Sequence, residues 1–212
     1  IQLCSITDAN LDDARFENSC LTKTDFDNCG GTKTTFSGCT MKHCKFFNTK
    51  LPLAQFDRVS VFETLLAKTS FVDALFQHCS MLKANFDEIE GARTKWFHCD
   101  MTFSTYREAN LQGAVLLQNQ FMNSTFVKAN LKGLNICLSV FSGLFNINGA
   151  IVARDVFQQS MFDEITWNGG EALRGTISPD VAAKPAVTRP VEKPSRPRIL
   201  IDGIPGTDSE LY

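Results

Sequence analysis

One residue in every five is large and apolar along most of this chain. Starting at Ile6, the register runs through Leu11, Phe16, Leu21, Phe26, Phe36, Phe56, Phe76, Trp96, Leu116 and Phe126 to Met161. Of these 32 positions, 29 are bulky; the exceptions are Gly31, Gly91 and Asn146. A second register lies two residues earlier. There 25 of 32 positions are Ala, Ser, Thr, Cys or Gly, beginning Cys4, Ala9, Ala14, Ser19, Thr24 and Cys29. The other three residues of each five are mostly polar.

This period fits neither a strand, which repeats at two, nor an α-helix, which repeats at 3.6. It requires a backbone that turns the same way every five residues. Four such turns close a square, so twenty residues make one coil. One bulky and one small side chain then point inward from each side. The second must be small because four sides share a narrow, densely packed interior. Coils stack like strands, about 4.8 Å apart, so eight coils make a rod of roughly 38 Å. The reading places no insertion anywhere in the register.

The tandem units Ala9-Asn10-Leu11, Ala84-Asn85-Phe86, Ala109-Asn110-Leu111 and Ala129-Asn130-Leu131 carry a resemblance to the pentapeptide-repeat family. That resemblance covers residues 4–166. It implies an all-β fold, a right-handed quadrilateral β-helix, or solenoid, of about eight 20-residue coils. Its members are functionally diverse: some mimic DNA and protect gyrase from quinolones, and others are secreted bacterial effectors. Fold alone does not select among these.

The chain divides into a repeat body, 1–166, and a capping segment with a Pro-rich tail, 167–212. Six of the seven prolines fall between Pro179 and Pro205, which reads as an extended linker. Within it, Ile199-Leu200-Ile201 is a short apolar run bounded by Pro197 and Gly203. It suits a strand that pairs with a coil edge, one that folds back on the rod, or the start of a further domain. Trp167 follows the last repeat and is expected to lie buried as a lid, since a stack must hide its final layer. Gly31 and Gly91 read as places where bulky neighbours fill the shared interior. The chain lacks an initial Met and a signal-peptide pattern, which suggests one part of a larger protein.

Six of the eight cysteines occupy the small inward register, so they read as core thiols in a reducing, cytoplasmic compartment, the host cytosol if the protein is a secreted effector. Cys79 and Cys99 stack on adjacent coils. The pairs His78-Cys79 and His98-Cys99 invite a zinc reading, but each Cys points inward and each His outward, so the four cannot converge on one ion. No metal or cofactor is expected. Asp87, Glu88 and Glu90 read as a solvated face, because acid–base work needs a cleft that a convex rod does not offer. No catalytic motif is present, and the chain reads as a non-enzyme. No run of eighteen apolar residues exists to span a membrane.

The outward positions carry the functional expectation. The residue after each bulky one should face solvent, and twenty-residue spacing stacks such residues into stripes. One stripe holds Phe97, Leu117 and Phe157, with Cys137; the next holds Phe62, Leu82 and Met122, with Phe103 and Phe162 nearby. Adjoining apolar stripes mark an interface with a protein partner or a second copy. Residues 1–166 carry 15 Lys+Arg and 17 Asp+Glu, a net charge of 15 − 17 = −2. That is too balanced for direct nucleic-acid binding and for a DNA mimic. The primary reading is a non-enzymatic β-helical interaction scaffold, in the manner of bacterial effector domains. The alternative is a gyrase-protecting protein similar to the quinolone-resistance members.

Overall fold

The computed structural model describes residues 1–152 and 161–168; for 144, 145, 152 and 161–168 it describes the backbone. Short parallel strands stack at twenty-residue steps. One side of the square is a seven-stranded sheet: β1 (Arg15–Glu17), β3 (Thr35–Ser37), β5 (Gln55–Asp57), β7 (Leu75–Gln77), β9 (Lys95–Phe97), β10 (Val115–Leu117) and β13 (Asn135–Cys137). The next side holds β2 (Cys20–Thr22), β4 (Thr40–Lys42), β6 (Ser60–Phe62) and β8 (Ser80–Leu82), continued by β11 (Gln120–Met122), β14 (Val140–Asn146) and β16 (Met161–Asn168). Bridges Ser80↔Asp100 and Asp100↔Gln120 join its two parts. The remaining two sides are held by single bridges such as Asp25↔Lys45 and Gly30↔Lys50, with one regular pair, β12 (Asn130–Leu131) and β15 (Ile151–Val152).

The bulky register fills the interior. Phe26, Phe36, Phe46, Phe71, Phe86 and Phe141 are wholly buried, and Phe56, Phe126 and Trp96 nearly so. Because neighbouring coils repeat in register, like side chains stack. Ring centroids along Phe16, Phe36, Phe56, Phe76 and Trp96 are separated by 4.8, 4.9, 4.6 and 3.7 Å. Rings from adjoining sides meet edge-on, as Phe86 does with Trp96 at 5.3 Å. Both arrangements suit the ring quadrupole, although the stacked ones are dictated by coil spacing.

The small register has a second reason for its chemistry. Its hydroxyls and thiols donate to the carbonyl of the bulky residue one coil below. Thr34 donates to Leu11 at 2.9 Å, Thr49 to Phe26 at 2.6 Å, Ser124 to Met101 at 2.8 Å and Cys39 to Phe16 at 3.2 Å; Thr69 does the same to Phe46. Ser, Thr and Cys are thus favoured over larger residues both by volume and by the inter-coil bond they add. Corners demand a left-handed backbone two residues after each bulky one. Asn18 (φ 48°), His78 (φ 52°) and Phe103 (φ 57°) all adopt it, as does Gly38 (φ 61°).

The register does break, at the corner after Phe141 and again at the same corner of the next coil, where Leu144↔Thr166 is an advance of twenty-two. Pairing advances by twenty residues up to Phe121↔Phe141, then by twenty-one at Thr125↔Asn146, Asn130↔Ile151 and Phe141↔Phe162. β14 carries an irregularity between Ser142 and Leu144. One extra residue therefore enters the corner that follows Phe141, and the expectation of an unbroken phase is corrected. Asn146 is not a core position: Ile147 is wholly buried in its place, with Ala150 beside the next turn, while Ile151 is 62% exposed. The tail and the segment Ile199–Ile201 lie outside the described residues. Trp167 is placed by its backbone opposite Phe145, and its indole lies outside the description.

The two core glycines have different surroundings. A Cβ on Gly31 would lie 2.3 Å from Thr34 Oγ1, 2.7 Å from Leu11 Cβ and 2.9 Å from the Leu11 carbonyl carbon. A Cβ on Gly91 would meet the flexible tip of Leu111 at 2.9 Å and Ile89 Cδ1 at 3.3 Å. Ile89 is itself an exception in the small register, so large and small have exchanged places within one five-residue unit. Gly31→Ala must displace backbone and is expected to cost about 1–3 kcal/mol by overpacking, whereas Gly91→Ala costs less. Urea unfolding of the two variants, followed by far-UV circular dichroism, checks the order.

Asn119, a third exception, satisfies three coils at once. Its Oδ1 accepts from Cys99 N–H at 2.8 Å, its Nδ2 donates to Trp96 O at 2.9 Å, and its own N–H donates to Ser139 Oγ at 3.2 Å. Asn119→Ala strands buried backbone groups and is expected to lower stability by about 1–3 kcal/mol. Equal stability of Asn119→Ala and the parent in the same unfolding measurement would contradict this.

Candidate interaction surface

The corners and flat sides decide what each outward residue can do. On the seven-stranded side, β9 and β10 place Phe97 opposite Leu117, and β13 continues the column with Cys137. All three are half-buried. Leu75 and Val115 extend the same face along its other edge, separated by Lys95. Leu138, at the adjoining corner, is 49% exposed. Sequence reasoning passed over Leu75 and Val115, because its stripes were built from the residue after each bulky one; Leu138 stands two after Ile136, the offset at which Phe103 was noticed. The residue before each bulky one shares the same outward face of a three-residue strand.

On the next side, β6 and β8 place Phe62 opposite Leu82, both half-buried. Phe62 is partly covered: His43 meets its ring edge-on at 5.9 Å, and Lys83 Nζ sits 5.4 Å from its centroid. Met122 does not continue this stripe directly. Thr102, largely buried, stands in the intervening coil, with Lys83 N–H donating to its carbonyl at 3.0 Å. Met122 is 42% exposed and Phe103 47% exposed; Phe103 N–H donates to Met122 O at 2.7 Å, so these two form their own corner patch.

The two stripes are not one continuous patch. His78 and His98 occupy the corner between them, and Ser80, Asp100 and Gln120 line the adjoining edge. Asp100 is engaged by the Thr102 N–H at 3.0 Å and hydroxyl at 2.5 Å. Phe157 lies outside the described residues. Phe162 falls, through the one-residue shift, opposite Phe141 in the column of bulky core positions, so its register no longer places it among the outward residues.

The charged columns are partly self-neutralising. Arg93 clasps Asp73 with Nε–Oδ1 at 2.8 Å and Nη2–Oδ2 at 2.7 Å, which holds the Asp73 carboxyl below the usual carboxylate range. Lys83–Glu63, Lys128–Glu108, Lys68–Glu88 and Lys45–Asp25 pair across coils at 2.9, 3.2, 3.7 and 3.5 Å. The acidic trio is also occupied: Asp87 accepts the Arg107 N–H at 2.8 Å, Glu88 faces Lys68, and Glu90 takes the Asn110 amide at 2.7 Å.

Cys29, Cys39, Cys44, Cys79 and Cys99 are buried free thiols, while Cys4 and Cys20 are exposed. Cys4, expected inside, belongs to the first coil and has a neighbouring coil on one side only. Burial pushes the Cys29 and Cys44 thiols up; at Cys79 the adjacent Cys99 thiol and burial act together in the same direction. Such thiols stay protonated and are poor nucleophiles. Tyr106 is likewise pushed well up by burial, its hydroxyl meeting Met101 Sδ at 3.1 Å. Among the described residues, no three or more His, Cys, Asp or Glu side chains gather to hold a metal ion, and no helix is long and apolar enough to cross a membrane.

Comparison with known proteins agrees with this architecture. The family model "Pentapeptide repeats" matches in 8 copies over residues 9–46 and 107–143. No curated protein matches the chain. Among solved structures, the chain is similar to HetL, a pentapeptide repeat protein involved in heterocyst differentiation regulation from the cyanobacterium Nostoc sp. strain PCC 7120. The identity is 16% and the TM-score 0.52, over 70% of this chain and 64% of HetL. The chain thus spans somewhat under two thirds of that protein. It is also similar to a trypsin-treated form of QnrB1, a plasmid-mediated fluoroquinolone resistance protein, at 15% identity and TM-score 0.51, over 75% of this chain and 91% of that one. This chain carries pentapeptide repeats and folds as pentapeptide-repeat proteins do.

Proposed function

We propose that this chain is a non-enzymatic protein-interaction module that docks a protein partner, or a second copy, through the outward faces around Phe97 and Leu117. The observation that carries this reading is the contrast between columns. Five Lys/Arg–carboxylate pairs tie charged outward residues across coils, whereas Phe97 and Leu117 stand side by side, half-buried and apolar, on the outer face of the seven-stranded sheet, with Leu75 and Val115 flanking Lys95 beside them. Half-exposed apolar residues held at fixed spacing lose little entropy on docking, which favours recognition. Phe62 and Leu82, and the corner pair Phe103 and Met122, form separate flanking contacts on the next side. A scaffold role within a larger, effector-like protein accords with this surface.

Phe97→Asp combined with Leu117→Asp is expected to leave the far-UV spectrum and unfolding midpoint close to the parent, because neither side chain fills the interior. It is expected to abolish association, read by sedimentation velocity for self-association and by pull-down for a partner. Unchanged mass and unchanged capture would reject the surface.

The likeness of fold to QnrB1 raises a second reading, protection of gyrase by resemblance to DNA. A DNA mimic needs rows of unpaired carboxylates. Here Glu63, Asp73, Glu88 and Glu108 are each matched by a cation from an adjacent coil. The chain is therefore expected to give no protection in a gyrase supercoiling assay with a fluoroquinolone, and clear protection would reverse the order of the two readings.

A further inference from the structure

We infer that His78 and His98 form a two-histidine chelate for a borderline divalent transition ion of the Zn²⁺ and Ni²⁺ class. Both residues sit at the same corner on adjacent coils, in the left-handed backbone that corners require (φ 52° and 55°). Their main chains are fixed: His78 N–H donates to Phe97 O at 2.9 Å, and His98 N–H to Leu117 O at 3.0 Å. Their rings are stacked with centroids 5.0 Å apart and planes 11° from parallel. Both are exposed, so solvent reaches both rings.

The ring nitrogens of the pair have no hydrogen-bond or ion-pair partner among the described residues. His43 provides the contrast. Its Nδ1 lies 3.5 Å from Glu63 Oε2, its ring edge meets Phe62, and its coil neighbours are Lys23 and Glu63, not histidine. Neutral imidazole is the usual nitrogen ligand for zinc, copper and nickel. Two metal–nitrogen bonds of about 2.0–2.1 Å in a tetrahedral arrangement need nitrogens about 3.3 Å apart. Exposed rings held 5.0 Å apart reach that by side-chain rotation alone, with no movement of the coils.

The cysteines beside these histidines take no part, since Cys79 and Cys99 point into the core. Water therefore completes the coordination shell, and no third protein ligand is needed. The nearest charges do not oppose the ion strongly: Arg58, one coil below in the same column, is tied to Asp57 at 2.8 Å, and Gln118, one coil above, is neutral. Binding exchanges water for imidazole nitrogen and weakens as pH falls, because protons compete for the same atoms.

The test uses the full chain carrying Cys4→Ser and Cys20→Ser, which removes the exposed thiols as rival ligands. Zn²⁺ is titrated calorimetrically at neutral pH. The expected result is one equivalent bound, with affinity falling at least about tenfold in His78→Asn and separately in His98→Asn, since either change destroys the chelate. Asn tolerates the left-handed corner and already occupies it at Asn18, so folding is retained. His43→Asn leaves the isotherm unchanged. In parallel, substoichiometric Ni²⁺ broadens the imidazole resonances of His78 and His98 together and spares His43. Absence of binding, or an isotherm that survives both substitutions, overturns the assignment.

Discussion

Stacked coils repeat at the spacing of paired strands, and this one distance governs every layer of the molecule. It sets the hydrogen bonds that join coil to coil, and it fixes how far each side chain lies from its counterpart twenty residues on. Rings in the Phe16–Trp96 column are 3.7 to 4.9 Å apart because the backbone holds them there. A column of flat rings tolerates that spacing; a column of branched residues fills it less evenly. The abundance of Phe over Tyr and Trp follows from the same geometry. A phenol or indole inside the square needs a polar partner, and Tyr106 finds only a thioether while Trp96 reaches Thr94 at 3.0 Å.

The period of five made the core legible from the sequence. Each position two residues before a bulky one was readable as small, and Thr34, Thr49 and Ser124 are buried there. The role of their hydroxyls was not readable, because the acceptor lies 23 residues earlier in a neighbouring coil. The exceptions were visible, their meaning less so. Asn119 looked like an error in the small register and proves to be a three-way bracket between coils. Gly91 was readable as volume compensation by bulky neighbours on its register; Ile89, in the same five-residue unit, is one of the side chains that fill the space. The inserted residue after Phe141 escaped notice because Ile151, Val156 and Met161 happen to keep the old count apolar. Periodicity alone could not separate a shifted register from a kept one where both registers are hydrophobic.

The surface was less legible for a related reason. Outward residues obey no packing rule, so their identity is free and their grouping depends on which columns adjoin. Twenty-residue spacing put Leu117 beside Phe97, as β9 and β10 pair them, but it did not show that the corner of His78 and His98 stands between the two neighbouring stripes. His78 and His98 take the left-handed corner positions between the two faces, and both are exposed. Leu138, in the same column, is 49% exposed, and Phe103, at the following corner, is 47% exposed.

Rigidity joins these observations. A globular surface can repack around a docked partner, but here each outward side chain stands on a rung whose neighbours above and below are fixed by the ladder. The ion pairs show the consequence. Arg93 and Asp73 meet with two bonds because their main chains are already one coil apart, so little entropy is spent on bringing them together. The same economy is what the proposed docking at Phe97 and Leu117 and the proposed chelation by His78 and His98 draw on. A solenoid of this kind presents groups in columns at a set pitch, and what it recognises must offer complementary groups at that pitch.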